Sequence, residues 1–71
     1  SSDLNKVQRL SDFPAYEELE PLLYNAFGKD MEEKYGIGRE MTIAEFTDCL
    51  NRIELPEIQK TLFLETLQKA G

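Results

Sequence analysis

Hydrophobic residues recur at three- and four-residue intervals along most of the chain, and no long run alternates with the period of a β-strand. Spacing of three and four places side chains on one face of a helix. Four stretches have this spacing, and the connections between them are short. The sequence therefore predicts an all-α fold, a compact bundle of about four helices.

The length of 71 residues predicts one small helical domain over residues 1–71, either complete or cut from a longer chain. A chain this short buries only roughly 60% of the surface that it exposes when unfolded. One cysteine and no histidine provide neither a disulfide framework nor an ordinary zinc site. Stability must then come from a hydrophobic core or from a partner.

The first two predicted helices lie on either side of a proline. Leu4, Val7 and Leu10 are spaced for a short helix, which the segment 11–14 ends because Pro14 forces the residue before it out of the helical region. The second helix is predicted over about 15–35.

Two residues interrupt the pattern of this second helix. Pro21 either lies in the first turn, which moves the helix start to about 17–20, or kinks the helix. Gly28 is a candidate break, because glycine is unfavourable inside a helix.

A helix-loop-helix centred on Gly36–Met41 follows. Gly36 is expected just past a helix end, where a positive φ is needed. Thr42 and Glu45 have the spacing of a capping box, in which each side chain accepts a hydrogen bond from the other residue's backbone N–H. The third helix is predicted to run from this box to about Arg52.

The fourth helix is predicted to open near Pro56 and to end at Gly71. Its apolar residues cover an unusually wide arc of the helix surface, since Leu62, Phe63 and Leu64 point in three directions about 100° apart. We expect either burial on more than one side or contact with a partner.

The composition excludes several functions. Without histidine there is no imidazole base, and so short a chain has little room for a cleft with two catalytic carboxylates, so we predict no enzyme and no cofactor. A net charge of −6 disfavours nucleic acid, and no apolar run is long enough to span a bilayer. The free Cys49 is interpreted as a small buried hydrophobe, and it favours an intracellular, cytoplasmic location.

Residues 19–67 resemble an EF-hand. The segment 22–27 is similar to an entering helix, 41–46 to the end of the loop and the start of the exiting helix, and 55–67 to the helix that opens a second hand. The likeness implies a light-chain-type regulatory domain.

The loop departs from the EF-hand pattern. Counting back from Glu45, the twelve-residue frame begins at Lys34, so Gly36 and Gly38 stand where oxygen ligands belong and Arg39 replaces the glycine of the tight turn. The chain from the entering helix to Glu45 is also longer than a standard loop. The resemblance therefore implies a degenerate hand without standard calcium binding, and no metal ligand is predicted.

A second likeness joins 42–46, 55–58 and 67–71, which are similar to the helix-turn-helix of winged-helix regulators. It implies a DNA-binding domain. Only Lys60 and Lys69 are cations on the would-be recognition helix, so the charge of the chain disfavours this alternative.

The chain holds more large apolar residues than a domain of this size encloses, which favours an interaction surface. We predict a non-enzymatic protein-interaction module with an apolar groove between the second and fourth helices. An acidic rim selects a basic amphipathic helix, or a second copy of the chain fills the groove. Ile37 is either a further contact or a plug in the core. The predicted partner-binding residues are Leu23, Phe27, Phe63, Leu64 and Leu67.

Overall fold

The computed structural model describes residues 7–69. Its helices are α1 (Tyr16–Phe27), α2 (Asp30–Glu33), α3 (Ile43–Arg52) and α4 (Glu57–Leu67), preceded by a 3₁₀ turn, Leu10–Asp12. The only β-type pairing within 7–69 is an isolated bridge between Arg9 and Thr42. The prediction of a small all-α bundle of about four helices is confirmed.

The predicted first helix is wrong over its described part, and Leu4 lies outside the described residues. Residues 7–9 are not helical. The backbone N–H of Leu10 instead donates to the carbonyl of Met41 (2.8 Å), and that of Ser11 donates to the carbonyl of Arg39 (3.1 Å). The N-terminal segment is thus tied to the residues before α3, which a local helix would prevent.

The predicted helix over 15–35 is divided at Gly28. Gly28 has φ 60° and ψ −138°, a backbone conformation that is open almost only to glycine. Pro21 lies inside α1, beyond its first turn. Its missing N–H leaves the carbonyl of Glu17 without a helical partner, and because both residues are exposed, water can bond to that carbonyl.

The start of α3 confirms the predicted capping box. The N–H of Glu45 donates to Thr42 Oγ1 (3.1 Å), and the N–H of Thr42 donates to Glu45 Oε1 (2.9 Å). Gly36 has the expected positive φ, 67°. Ile37 is fully buried and its N–H donates to the carbonyl of Met31 (2.7 Å), so it plugs the core and is not an exposed contact.

The core lies mainly between α1 and α4, and buried side chains of α3 belong to the same cluster. Phe27 connects two parts of the core, because its ring packs edge-on against Tyr35 (5.3 Å between centroids) and at a tilt against Phe63 (6.1 Å). Cys49 is buried as predicted. The buried hydrophobic cluster consists of Leu10, Tyr16, Leu19, Leu23, Met31, Ile37, Phe46, Cys49, Leu50, Phe63 and Leu67.

Candidate interaction surface

Helices α1 and α4 pack side by side in antiparallel directions. Near the start of α1, Glu18 accepts a hydrogen bond from Lys69, which follows α4 (3.4 Å between Oε2 and Nζ). At the other end of α1, Phe27 meets Phe63 in the middle of α4. The interface of these two helices is the site at which the sequence predicts a groove.

The five predicted contact residues occupy the inside of this interface. Leu23, Phe63 and Leu67 have no exposed surface, while Phe27 and Leu64 are half-buried and pack against the core. Their side chains close the space where the groove is predicted. Open apolar surface therefore lies at other residues.

The largest exposed apolar side chains of α4 are Ile58 and Leu62, which are 85% and 48% exposed. They are four positions apart, so they lie next to each other on one side of the helix. Lys69, which follows α4, bonds to Glu18, so the end of α4 lies beside the start of α1.

On α1, the positions that follow Glu18 at four-residue intervals are Leu22 and Ala26. Ala26 is exposed and Leu22 is half-buried. We call Ile58, Leu62, Leu22 and Ala26 the outer α1–α4 surface. This strip consists of exposed and half-buried apolar residues of two helices that pack together.

This surface has an acidic setting. Helix α1 contains Glu17, Glu18 and Glu20 and no lysine or arginine. On α4, Lys60 is bound to Glu57 (2.8 Å) and to the side-chain oxygen of Asn51 (3.1 Å), and Lys69 is bound to Glu18. Lys60 and Lys69 are therefore both paired with carboxylates.

The same ion pairs bear on the helix-turn-helix likeness. Lys60 and Lys69 are the cations that this likeness would use to hold phosphates, and both already contact carboxylates. No observation of the described residues favours DNA as the partner.

In the loop between α2 and α3, polar groups are engaged in hydrogen bonds within the protein. The carboxylate of Glu45 caps α3, and this backbone hydrogen bond holds the pKa of Glu45 below its ordinary value. The carbonyl of Glu40 accepts a hydrogen bond from the Arg9 guanidinium (3.0 Å), and those of Arg39 and Met41 accept backbone N–H groups. Over the described range, no group of three or more acidic or cysteine side chains is placed to hold a metal ion.

A concave region lies between α1 and α2. It is a depression of about 520 Å³ with Pro21, Tyr24 and Glu20 on the α1 side and Met31, Glu32 and Glu33 on the α2 side. Tyr24 is 59% exposed. We call this region the α1–α2 depression.

Cys49 is placed as a structural residue. It is 3% exposed, and its thiol lies 3.7 Å from the carbonyl oxygen of Tyr35. Burial raises the pKa of the thiol, which disfavours the reactive thiolate.

Sequence reasoning missed Ile58, Leu62 and Tyr24 as candidate contacts. A signal for Leu62 is present, because Leu62, Phe63 and Leu64 cannot all face one core. The exposure of Tyr24 is indicated by its position in the sequence, because it follows Leu23 and lies outside the apolar stripe of α1. Periodicity does not say which of several neighbouring apolar residues is the exposed one.

No protein-family model, curated protein or solved structure matches the chain. Among the described residues, no helix has the length and apolar character to cross a membrane.

Proposed function

We propose that this chain is an intracellular, non-enzymatic protein-interaction module that binds a basic amphipathic helix on the outer α1–α4 surface. The supporting observation is the exposure of Ile58 (85%) one turn before Leu62 (48%) on a helix whose inner side already fills the core. Fully burying an isoleucine or leucine contributes roughly 1.5–3 kcal/mol, so a partner that covers both gains appreciable affinity.

Charge complementarity selects the kind of partner. Helix α1 carries three glutamates and no cation, and one of them, Glu18, precedes Leu22 by one turn. Lys60 and Lys69 are held in ion pairs. A helix with one apolar stripe and flanking lysines or arginines matches both the shape and the charge of this surface. Attraction of this kind speeds association and weakens as salt is added.

The test is an amide chemical-shift titration of the 71-residue protein with a designed leucine–lysine amphipathic helical peptide. The control peptide has the same composition in an order that destroys the apolar stripe. We expect saturable shifts centred on Ile58, Leu62 and Ala26 with the amphipathic peptide only. Equal shifts with both peptides, or shifts centred elsewhere, would contradict the proposal.

Sedimentation equilibrium separates a partner helix from a second copy of the chain. We expect a monomer at high protein concentration. A dimer that dissociates in the double variant Ile58→Ser/Leu62→Ser would assign the strip to self-association and overturn the proposed occupant. The degenerate EF-hand interpretation stays a prediction, and it expects that calcium leaves the amide shifts of residues 34–45 unchanged.

A further inference from the structure

The α1–α2 depression exists because the chain turns at Gly28. The φ of 60° at this residue ends α1 and brings α2 back beside it. Met31 is 5% exposed and forms the floor, while the exposed Pro21 and Tyr24 form an apolar wall. The result is a concave surface with an aromatic ring available to a ligand.

The rim of this depression is negatively charged. Glu20, Glu32 and Glu33 line it, against one cation, Lys29. The ion pairs formed within residues 7–69 are Lys60–Glu57 and Lys69–Glu18, so the three carboxylates of the rim take part in neither. Their charge is available to a ligand.

A buried polar atom lies close to this rim. The hydroxyl of Tyr16 is the one buried side-chain polar atom of the described chain without a hydrogen-bond partner, and Tyr16 is 2% exposed. Burial raises the pKa of Tyr16, the charges of Glu20 and Glu32 raise it further, and the charge of Arg39 opposes them. The carboxylates of Glu20 and Glu32 are therefore close enough to the Tyr16 hydroxyl to act on it electrostatically.

An arginine of the protein already lies over the ring of Tyr16. The guanidinium carbon of Arg39 lies 5.7 Å from the centre of the Tyr16 ring. Cations are attracted to the faces of aromatic rings, and arginine does this most often. Tyr24, on the same helix, offers a comparable ring that is open to solvent.

We propose that the α1–α2 depression binds the side chain of an arginine from a partner polypeptide. The guanidinium lies on the ring of Tyr24 and donates to Glu20, Glu32 and Glu33, while its aliphatic stem packs on Pro21 and Met31. Arginine fits better than lysine because its planar group stacks on rings and has five N–H donors for several acceptors at once. This inference uses residues other than Ile58 and Leu62, so it stands or fails apart from the proposed function.

The test is an amide-shift titration of the 71-residue protein with the tripeptide acetyl-Gly-Arg-Gly-amide. The control tripeptide has citrulline, which keeps the shape of arginine and lacks its charge. We expect saturable shifts at Tyr24, Gly28 and Met31 with a dissociation constant on the order of millimolar, because a single exposed contact of this kind is weak. The citrulline peptide should produce no saturable shift.

Variants of exposed residues then assign the contacts without disturbing the core. Tyr24→Ala should weaken binding about threefold, and Tyr24→Phe should leave it unchanged because the ring is kept. Glu32→Gln/Glu33→Gln should weaken binding by at least about threefold. The matched control Glu17→Gln/Glu65→Gln removes the same charge outside the depression and should have less effect. Circular dichroism checks that each variant is folded.

Three results would overturn the inference: equal shifts with the citrulline peptide, shifts spread over the whole acidic surface, or equal losses in the two double variants. Retention of full affinity in Tyr24→Ala would also contradict it, since the ring would then play no part.

Discussion

Helices α3 and α4 are nearly the same length, 10 and 11 residues, and each buries three side chains. On α3 the remaining large apolar residue, Ile43, is half-buried, as is Ile53 just after the helix, and the exposed positions are mainly polar. On α4, Ile58 and Leu62 face solvent. The pattern of α3 is thus explained by folding alone, whereas part of the pattern of α4 is not.

The two helices also differ at their starts. Thr42 and Glu45 satisfy free N–H groups at the beginning of α3. Pro56 precedes α4 and provides no side-chain hydrogen bond. Helix α3 is therefore specified by its own first residues, and α4 depends more on the packing of its inner side against α1. This difference suggests which substitutions change folding and which change only binding.

The largest effect is expected inside the core, where the two helices should behave alike. Phe63→Ala on α4 and Phe46→Ala on α3 each remove a fully buried ring. Each should lower the free energy of unfolding by about 3–5 kcal/mol, which is enough to unfold most molecules of a domain this small. Urea denaturation followed by circular dichroism measures this. A loss below about 1 kcal/mol for Phe63→Ala alone would mean that α4 is not a core helix.

A smaller effect is expected at the start of α3. Thr42→Ala removes the acceptor for the N–H of Glu45 and should lower the free energy of unfolding by about 1 kcal/mol. Thr61→Ala, at an exposed position inside α4, is the matched control and should change it by less than about 0.5 kcal/mol. Equal losses at the two positions would remove the contrast between the helix starts.

The capping carboxylate also predicts a pH dependence. Its hydrogen bond to the N–H of Thr42 lowers the pKa of Glu45 in the folded state, so the charged carboxylate stabilises the fold above the unfolded-state pKa, about 4.3. That stability is lost as the pH falls through the lower, folded-state pKa. Glu45→Gln keeps the acceptor without the charge. Thermal unfolding should show the wild type more stable at pH 6 and the difference shrinking as the pH falls below about 4.3, and a difference that grows on acidification would contradict this.

The smallest effect on folding is expected on the outer α1–α4 surface. Ile58→Ser is expected to change the free energy of unfolding by less than about 0.5 kcal/mol, because the side chain is 85% exposed. Leu62→Ser, at 48% exposure, should cost more than Ile58→Ser and far less than Phe63→Ala. Chemical denaturation of the three variants under one condition ranks them. A loss for Ile58→Ser close to that for Phe63→Ala would show that Ile58 supports the fold.

Features that depend on a few neighbouring residues can be predicted from the sequence. The capping box is contained in four residues, and the positive φ at Gly36 follows from one glycine after a helical stretch. The break at Gly28 is harder to predict, because Phe27 and Met31 continue the helical spacing across it. The pairing of residues 9–11 with 39–42 has no local signal, since the partners are about 30 positions apart.

The candidate surface was predicted at the level of helices but not of residues. The apolar excess of α4 indicates a second contact side, and the charge indicates a basic partner. Which of Leu62, Phe63 and Leu64 faces outward depends on how α4 is rotated against α1. The long-range contacts of Lys69 with Glu18 and of Phe63 with Phe27 define that rotation.

The most direct test of the central claim is the affinity of the leucine–lysine amphipathic peptide, measured by isothermal titration calorimetry. The double variant Ile58→Ser/Leu62→Ser should bind at least about tenfold more weakly than the wild type, since two buried apolar contacts are lost. Val7→Ser, which changes another exposed apolar residue (56%) outside α4, should bind like the wild type. Equal affinity for all three proteins would contradict the assignment of the exposed side of α4 to a partner helix.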